Sequence, residues 1–240
     1  MSERDQSSSS SPKKRRSRST SKKKRGGGSQ HRGETQKKSK PKSRSGYRLF
    51  MAIYPPRDCV ESWLTALRGV DGLPAYRMTP EDQVHLTVQF IGDRPKSDLP
   101  KIIESAEHAW GERAPFMVRA TSIGLFPDAA RAKVIAAHLE LPPELVDLKR
   151  RLVHRMARRP RQDGSDVTGF RPHCTLGRFQ KMPRFDDEPQ FPALDDVGGQ
   201  LFPVERIVVV KSTLTPDGPI HDRIASLPFE AYDDDDDDEA

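Results

Sequence analysis

Two short segments of the chain repeat one pattern. His85-Leu86-Thr87-Val88 and His173-Cys174-Thr175-Leu176 are each histidine, apolar residue, threonine, apolar residue. Both lie in runs that read as β-strands, in which successive side chains point to opposite faces. Histidine and threonine then share one face, and the apolar pair takes the other. A chain with two such strands must build a sheet that is buried on one side and open on the other. Register is tightly held, because a slip of one residue would expose every apolar side chain. In the first strand the alternation puts His85, Thr87 and Gln89 on the open face and Val84, Leu86, Val88 and Phe90 on the core face. In the second it puts Arg171, His173, Thr175 and Gly177 on the open face, with Cys174 and Leu176 inward.

The surrounding pattern supplies the rest of a fold. Tyr47 to Ile53 is an apolar run that reads as a buried strand, stopped by Pro55-Pro56. Val60, Trp63, Leu64 and Leu67 fall at helical spacing within Cys59 to Leu67. Ile102, Ile103, Ala106 and Trp110 do so within Ser97 to Trp110. Leu145, Leu148, Leu152, Val153 and Met156 do so after Pro142-Pro143, a pair that can start a helix. Strands are expected over 84–91, 116–125, 133–139, 172–179, 204–214 and 220–227, and mostly loop over 160–169 and 180–200. Strands and helices mix without the regular alternation of a doubly wound sheet, which implies an α+β fold with antiparallel sheets and flanking helices. The two motif histidines are 88 residues apart, about half of the folded region. The expected architecture is two-lobed and pseudo-symmetric, with one motif per lobe around a central cleft.

Charge divides the 240 residues into three. Residues 1–46 hold 16 Lys/Arg against 3 Asp/Glu, with many Ser and Gly and almost no large apolar residue. Such a segment cannot bury enough surface to offset its ordering entropy and is expected to be a disordered basic tail. Residues 232–240 form an acidic tail with six Asp and one Glu. Residues 47–231 are the expected folded domain, with 25 basic and 25 acidic residues, so the net charge of +6 belongs to the tails. The basic arm suits non-specific RNA or ribosome contact, or it serves only to keep the chain soluble. The two cysteines, Cys59 and Cys174, suggest neither a disulfide framework nor a zinc knuckle. No apolar stretch is long enough to span a bilayer, and no apolar segment follows the N-terminal charges, so a cytoplasmic chain without membrane contact is expected.

The motif residues suit a phosphate. A neutral imidazole can take a proton while a protonated one gives a proton up. Threonine donates to a non-bridging oxygen and is stiff at its first torsion. Arg171 can set a guanidinium on the same phosphate. One copy of His-x-Thr would mean little; the pairing carries the inference. A zinc site falls short on ligand count and would need His108, His138, His154 or His221 as a third ligand. His108 and His154 fall on expected helices as surface residues, and His138 ends a strand in a structural role. No Gly-x-Ser-x-Gly elbow or P-loop is present. No cofactor is implied, and the residues alone do not say which histidine gives the proton.

Paired His-x-Thr-x motifs at this separation resemble the two-histidine phosphoesterases. Further segments resemble the RNA 2′,3′-cyclic phosphodiesterase branch, also known from its 2′-5′ RNA ligase activity. They are Arg48 to Ile53, His85 to Gly92, Gly124-Leu125-Phe126-Pro127, Arg171 to Arg178, Val210 to Leu214, and Gly218. The resemblance covers about residues 47–228 and leaves both tails unexplained. Two departures are His221, where the family often has Tyr, and Cys174, where a branched aliphatic is more usual. The resemblance implies hydrolysis of a 2′,3′-cyclic phosphate at an RNA 3′ end, such as a tRNA fragment, to leave a 2′-phosphate. It makes His85 the proton donor and His173 the acceptor, with Thr87, Thr175 and Arg171 on the phosphate and no metal. A monomer is expected, since a two-lobed site needs no second chain. Phe90 and Phe126 are candidates for stacking on a base, although core packing is the expected role of both. Two other readings stay open: an RNA-end-binding module worked by the basic arm, and a phosphodiesterase of small cyclic nucleotides.

Overall fold

A computed structural model describes residues 46–229 apart from 112, 157–164, 186–188, 195–199 and 217. The two expected tails therefore lie outside the described residues, save Gly46, which opens the first strand. In chain order the elements are β1 (Gly46–Ile53), α1 (Arg57–Arg68), β2 (Tyr76–Met78), β3 (Leu86–Pro95), α2 (Leu99–Trp110), β4 (Phe116–Phe126) and β5 (Val134–Leu139). They continue with α3 (Pro143–Met156), α4 (Ser165–Thr168), β6 (His173–Phe179), β7 (Leu201–Val204), β8 (Arg206–Thr215) and β9 (Gly218–Pro228).

The strands form one antiparallel sheet in the order β7-β4-β5-β6-β3-β1-β8-β9, with β2 added along β6. It consists of two arrays of four, β7-β4-β5-β6 and β3-β1-β8-β9, each carrying one motif on its inner strand. The α+β antiparallel fold is thus as expected. The arrays are not halves of the sequence, however. The chain builds β1 and β3, then β4 to β7, and returns with β8 and β9 to finish the first array beside β1.

The helices follow the apolar spacing. Asp58 accepts from the Cys59 amide at 2.9 Å in the first turn of α1, and Gly69 ends that helix. Its stripe of Cys59, Val60, Trp63, Leu64 and Leu67 is buried, with Trp63 edge-on to Phe202 of β7. On α3 the buried set is Leu145, Leu148, Leu152, Val153 and Met156, and it includes Lys149. Each such large apolar side chain removed from water stabilises the fold by roughly 1.5–3 kcal/mol. The expected strand at 204–214 is β8, except that Val204 ends β7, a short outer strand that tolerates Pro203. β2 was not anticipated, β3 continues through Gly92 to Pro95, and a helical turn, α4, occupies part of the expected 160–169 loop.

The departure that matters for function is a pair of β-bulges. In the β1–β3 ladder Ala52 pairs with Thr87 and Met51 with Gln89, so Val88 is passed over; Ile91 is passed over likewise. In the β5–β6 ladder Ala136 pairs with Thr175 and Ile135 with Gly177, so Leu176 is passed over. Both motifs therefore bulge at their fourth residue. An extra residue breaks strict alternation. Val88 and Gln89 are both buried and Phe90 turns outward, 68% exposed. Leu176 and Gly177 are both buried and Arg178 turns outward. This corrects the expectation that Gln89 and Gly177 lie on the open face and Phe90 in the core.

Candidate active site

The two arrays join at the ladder pair Leu86–Cys174. Residues flanking one partner of an antiparallel pair face those flanking the other in reverse order. His85 therefore lies across from Thr175, and Thr87 across from His173, all on the side opposite the buried Leu86 and Cys174. The two imidazoles take the diagonal of this quadrangle, where strand neighbours lie about 7–8 Å apart. All four residues line a cleft of about 780 Å³.

Each ring is oriented by its own backbone. His85 Nδ1 lies 2.7 Å from the Gln83 carbonyl and His173 Nδ1 lies 2.8 Å from the Arg171 carbonyl. A carbonyl only accepts, so both Nδ1 atoms carry hydrogen. The neutral rings then present bare Nε2 atoms, the form a proton acceptor needs.

The surroundings of the two rings differ. His85 is packed by Phe50 at 5.0 Å, Tyr54 at 5.5 Å and His221 at 5.0 Å between centroids. Burial lowers its pKa from 6.5 to about 4, helped by His221, His173 and Arg223 and opposed by the bond to the Gln83 carbonyl. His173 stacks on Phe126 at 3.8 Å. Burial also lowers its pKa, with the Arg171 guanidinium adding to the effect and the Arg171 carbonyl opposing it.

Arg171 lines the cleft, as expected. Its guanidinium lies 4.7 Å over the Phe126 ring and donates through Nη1 to the Pro127 carbonyl at 3.2 Å. That leaves other N–H groups of the fork for an anion. Phe90 and Phe126 also line the cleft, so the expected core role holds for neither. Arg178 and Arg77 join the wall and were missed. Strict alternation assigns Arg178 to the core face; Gly177 inside a strand pattern was the available sign of a bulge. The glycine has a steric reason too, since a Cβ there would stand 2.8 Å from the Tyr76 ring of β2.

Lys149 holds the first bulge. Its buried ammonium donates to the Val88 carbonyl at 2.9 Å and to Gln89 Oε1 at 2.7 Å, while Gln89 Nε2 donates to the Phe90 carbonyl. Gln89 is thus structural. His138 sits opposite His173 in the β5–β6 ladder. His108 binds the Glu104 carbonyl within α2. Among the described residues no group of three or more His, Cys, Asp or Glu side chains is placed to hold a metal ion. Both cysteines are free and buried, and burial pushes the Cys59 thiol up to about 11.

The chain is similar to the RNA 2′,3′-cyclic phosphodiesterase of Thermus thermophilus, 29% identical over 181 residues that cover 72% of this chain and 86% of the relative. The RNA 2′,3′-cyclic phosphodiesterase of Methanothermobacter thermautotrophicus is 29% identical over 175 residues, 69% of this chain and 88% of the relative. Among solved structures, TT0787 of Thermus thermophilus superposes with a TM-score of 0.60 at 26% identity, covering 77% of this chain and 99% of that one. Escherichia coli LigT complexed with 3′-AMP gives 0.58 at 20% identity, covering 78% and 99%, a likeness of fold alone. Residues 55–215, more than half of the chain, match a family model, and the chain belongs to the 2′-5′ RNA ligase superfamily.

Proposed function

We propose that this protein hydrolyses RNA 2′,3′-cyclic phosphate ends to 2′-phosphomonoester ends. The observation that carries the reading is the pair of imidazoles on one diagonal, each with Nδ1 committed to a carbonyl and Nε2 left for proton exchange. The names of the relatives supply the substrate class. Water attacks phosphorus, a P–O bond forms, and the bond to O3′ breaks. His173 Nε2 takes the proton from water, and His85 Nε2 delivers one to the leaving O3′. Thr87 and Thr175 donate to the non-bridging oxygens, and Arg171 offsets charge that develops in the transition state. The scheme needs no metal. A 5′-hydroxyl in place of water would form a 2′-5′ linkage through the same groups. The catalytic domain spans 47–231, with the basic and acidic segments as appendages.

The donor must carry a proton, yet burial of His85 disfavours its charged form. An anionic phosphate within ~4–6 Å raises such a group by about 1–3 units. Substrate binding thereby moves the acid that the reaction uses toward its charged form. The test is turnover of a cyclic-phosphate-ended oligonucleotide with product analysis. A 2′-phosphate is expected, and His85→Ala and His173→Ala should each lose about 10²–10⁴-fold. A 3′-phosphate product, or near-wild-type turnover in either variant, defeats the scheme. Turnover of a cyclic mononucleotide in preference to an RNA end would support a small-nucleotide enzyme instead.

A further inference from the structure

His221 has no part in that scheme, yet it stands against the proposed donor. It lies on β9 opposite Ser212 of β8, with its ring edge-on to His85 at 5.0 Å and to Phe50 at 5.1 Å. Of the three rings packed on His85, Phe50 carries no charge in either state, and burial holds the Tyr54 phenol neutral. His221 is the one wall that can gain a positive charge near neutral pH. Its Nδ1 is buried and meets no hydrogen-bond partner among the described residues. The tautomer is therefore not fixed by a carbonyl, as it is in His85 and His173.

The groups facing this pair are mostly cationic. Arg178 of β6 acts on His221, and His173 of β6 acts on His85 across the cleft. Arg223 of β9 lies 3.7 Å over the Tyr54 ring and donates to the Asp82 carbonyl. The carboxylate beside His221, Asp222, is tied to Lys211 of β8 at 2.7 Å. Two protonated imidazoles at 5.0 Å would repel each other with that carboxylate already paired.

We propose that His221 is the positioning partner of His85, and that the two imidazoles hold one proton between them when an anion occupies the cleft. The role rests on the phosphodiesterase reading only in calling His85 the donor. A contested proton leaves the donor more readily, so His221 makes His85 a sharper acid. The two rings then titrate as a unit.

The experiment follows the ring resonances of His85 and His221 by proton–nitrogen correlation in the full chain, from pH 4 to 8, with inorganic phosphate in the cleft. His221→Phe keeps a ring without a charge, and His221→Asn removes the ring as well. In both, the His85 midpoint should rise by roughly one unit. Coupling is reciprocal, so His85→Asn should raise the His221 midpoint by a similar amount. No shift in the His221 variants, a shift in only one of them, or a shift that is not reciprocal overturns the proposal, since packing alone would give those results. The same rise should appear in the alkaline limb of kcat for His221→Phe on a cyclic-phosphate-ended RNA. If the titrations behave as expected but the wild-type protein turns over no such RNA, the phosphodiesterase reading falls and the shared proton stands.

Discussion

Acid should unfold this protein partly through one side chain. His85 is held near pKa 4 in the native state, against 6.5 for an unperturbed imidazole, chiefly because burial disfavours its charged form. The native pKa lies below the unfolded one. Between pH 6.5 and about 4 the unfolded chain therefore binds a proton that the native site refuses, and stability falls as pH falls. The loss begins near 6.5, grows by up to about 1.4 kcal/mol per unit, and levels off below 4, where both states are charged. It totals about 3 kcal/mol. This is a ceiling, because the cleft edge of the ring meets water.

The assay is urea unfolding of the wild-type protein and His85→Asn at pH 7.5 and pH 4. Carboxylates titrate in both proteins and cancel in the double difference. At pH 7.5 the variant should be the less stable, having lost ring contacts with Phe50 and Tyr54. At pH 4 it should have recovered about 2–3 kcal/mol relative to wild type. A difference between the two proteins that is the same at both pH values, within about 0.5 kcal/mol, would refute the assignment of a refused proton to His85.

The rate profile should show the same charge. Donation requires a protonated imidazole, so kcat/KM should peak below pH 6.5 and decline as pH rises, while the decline in kcat, set in the complex, should come at higher pH. A kcat/KM maximum above pH 7 would contradict the low free-protein pKa values. Lys149→Met leaves the Val88 carbonyl and Gln89 Oε1 without a buried ammonium and should cost about 2–3 kcal/mol in urea unfolding. It should also raise KM by loosening Thr87; unchanged stability would mean that the bulge holds itself. Gly177→Ala puts a methyl against the Tyr76 ring and should cost about 1–3 kcal/mol in thermal or urea unfolding.

The placement of the motif residues was legible in the sequence because it rests on local pattern. His85, Thr87, His173 and Thr175 reach the open face through alternation alone, before either bulge begins. The helix stripes at Trp63 and Leu148 were legible for the same reason. Phe90 and Arg178 were not, since each lies beyond a bulge that reverses the faces. A bulge is fixed by pairing with another strand, β1 in one case and β5 in the other, and no window within β3 or β6 contains that partner. The return of β8 and β9 beside β1 is likewise a long-range pairing. His221 reaches His85 only through it, which is why its place in sequence marked a departure from the family and one of four zinc candidates, with nothing to single out its contact with His85.

That return strand also resolves a chemical difficulty. The inner strands offer two near-equivalent imidazoles, each bonded to the carbonyl two residues before it. Acid–base catalysis on one phosphate needs them unequal, one charged while the other is not. The inequality has to come from neighbours that the motifs do not contain. On one side Phe126 stacks on His173, and Arg171 lies over that phenyl ring. On the other side Phe50, Tyr54 and His221 enclose His85, and two of these are contributed by β1 and β9. Burial lowers the pKa of both rings, that of His85 to about 4. Environments that push two like groups apart in this way are how acid and base are divided at a site. Here the difference in enclosure follows from which array β9 completes.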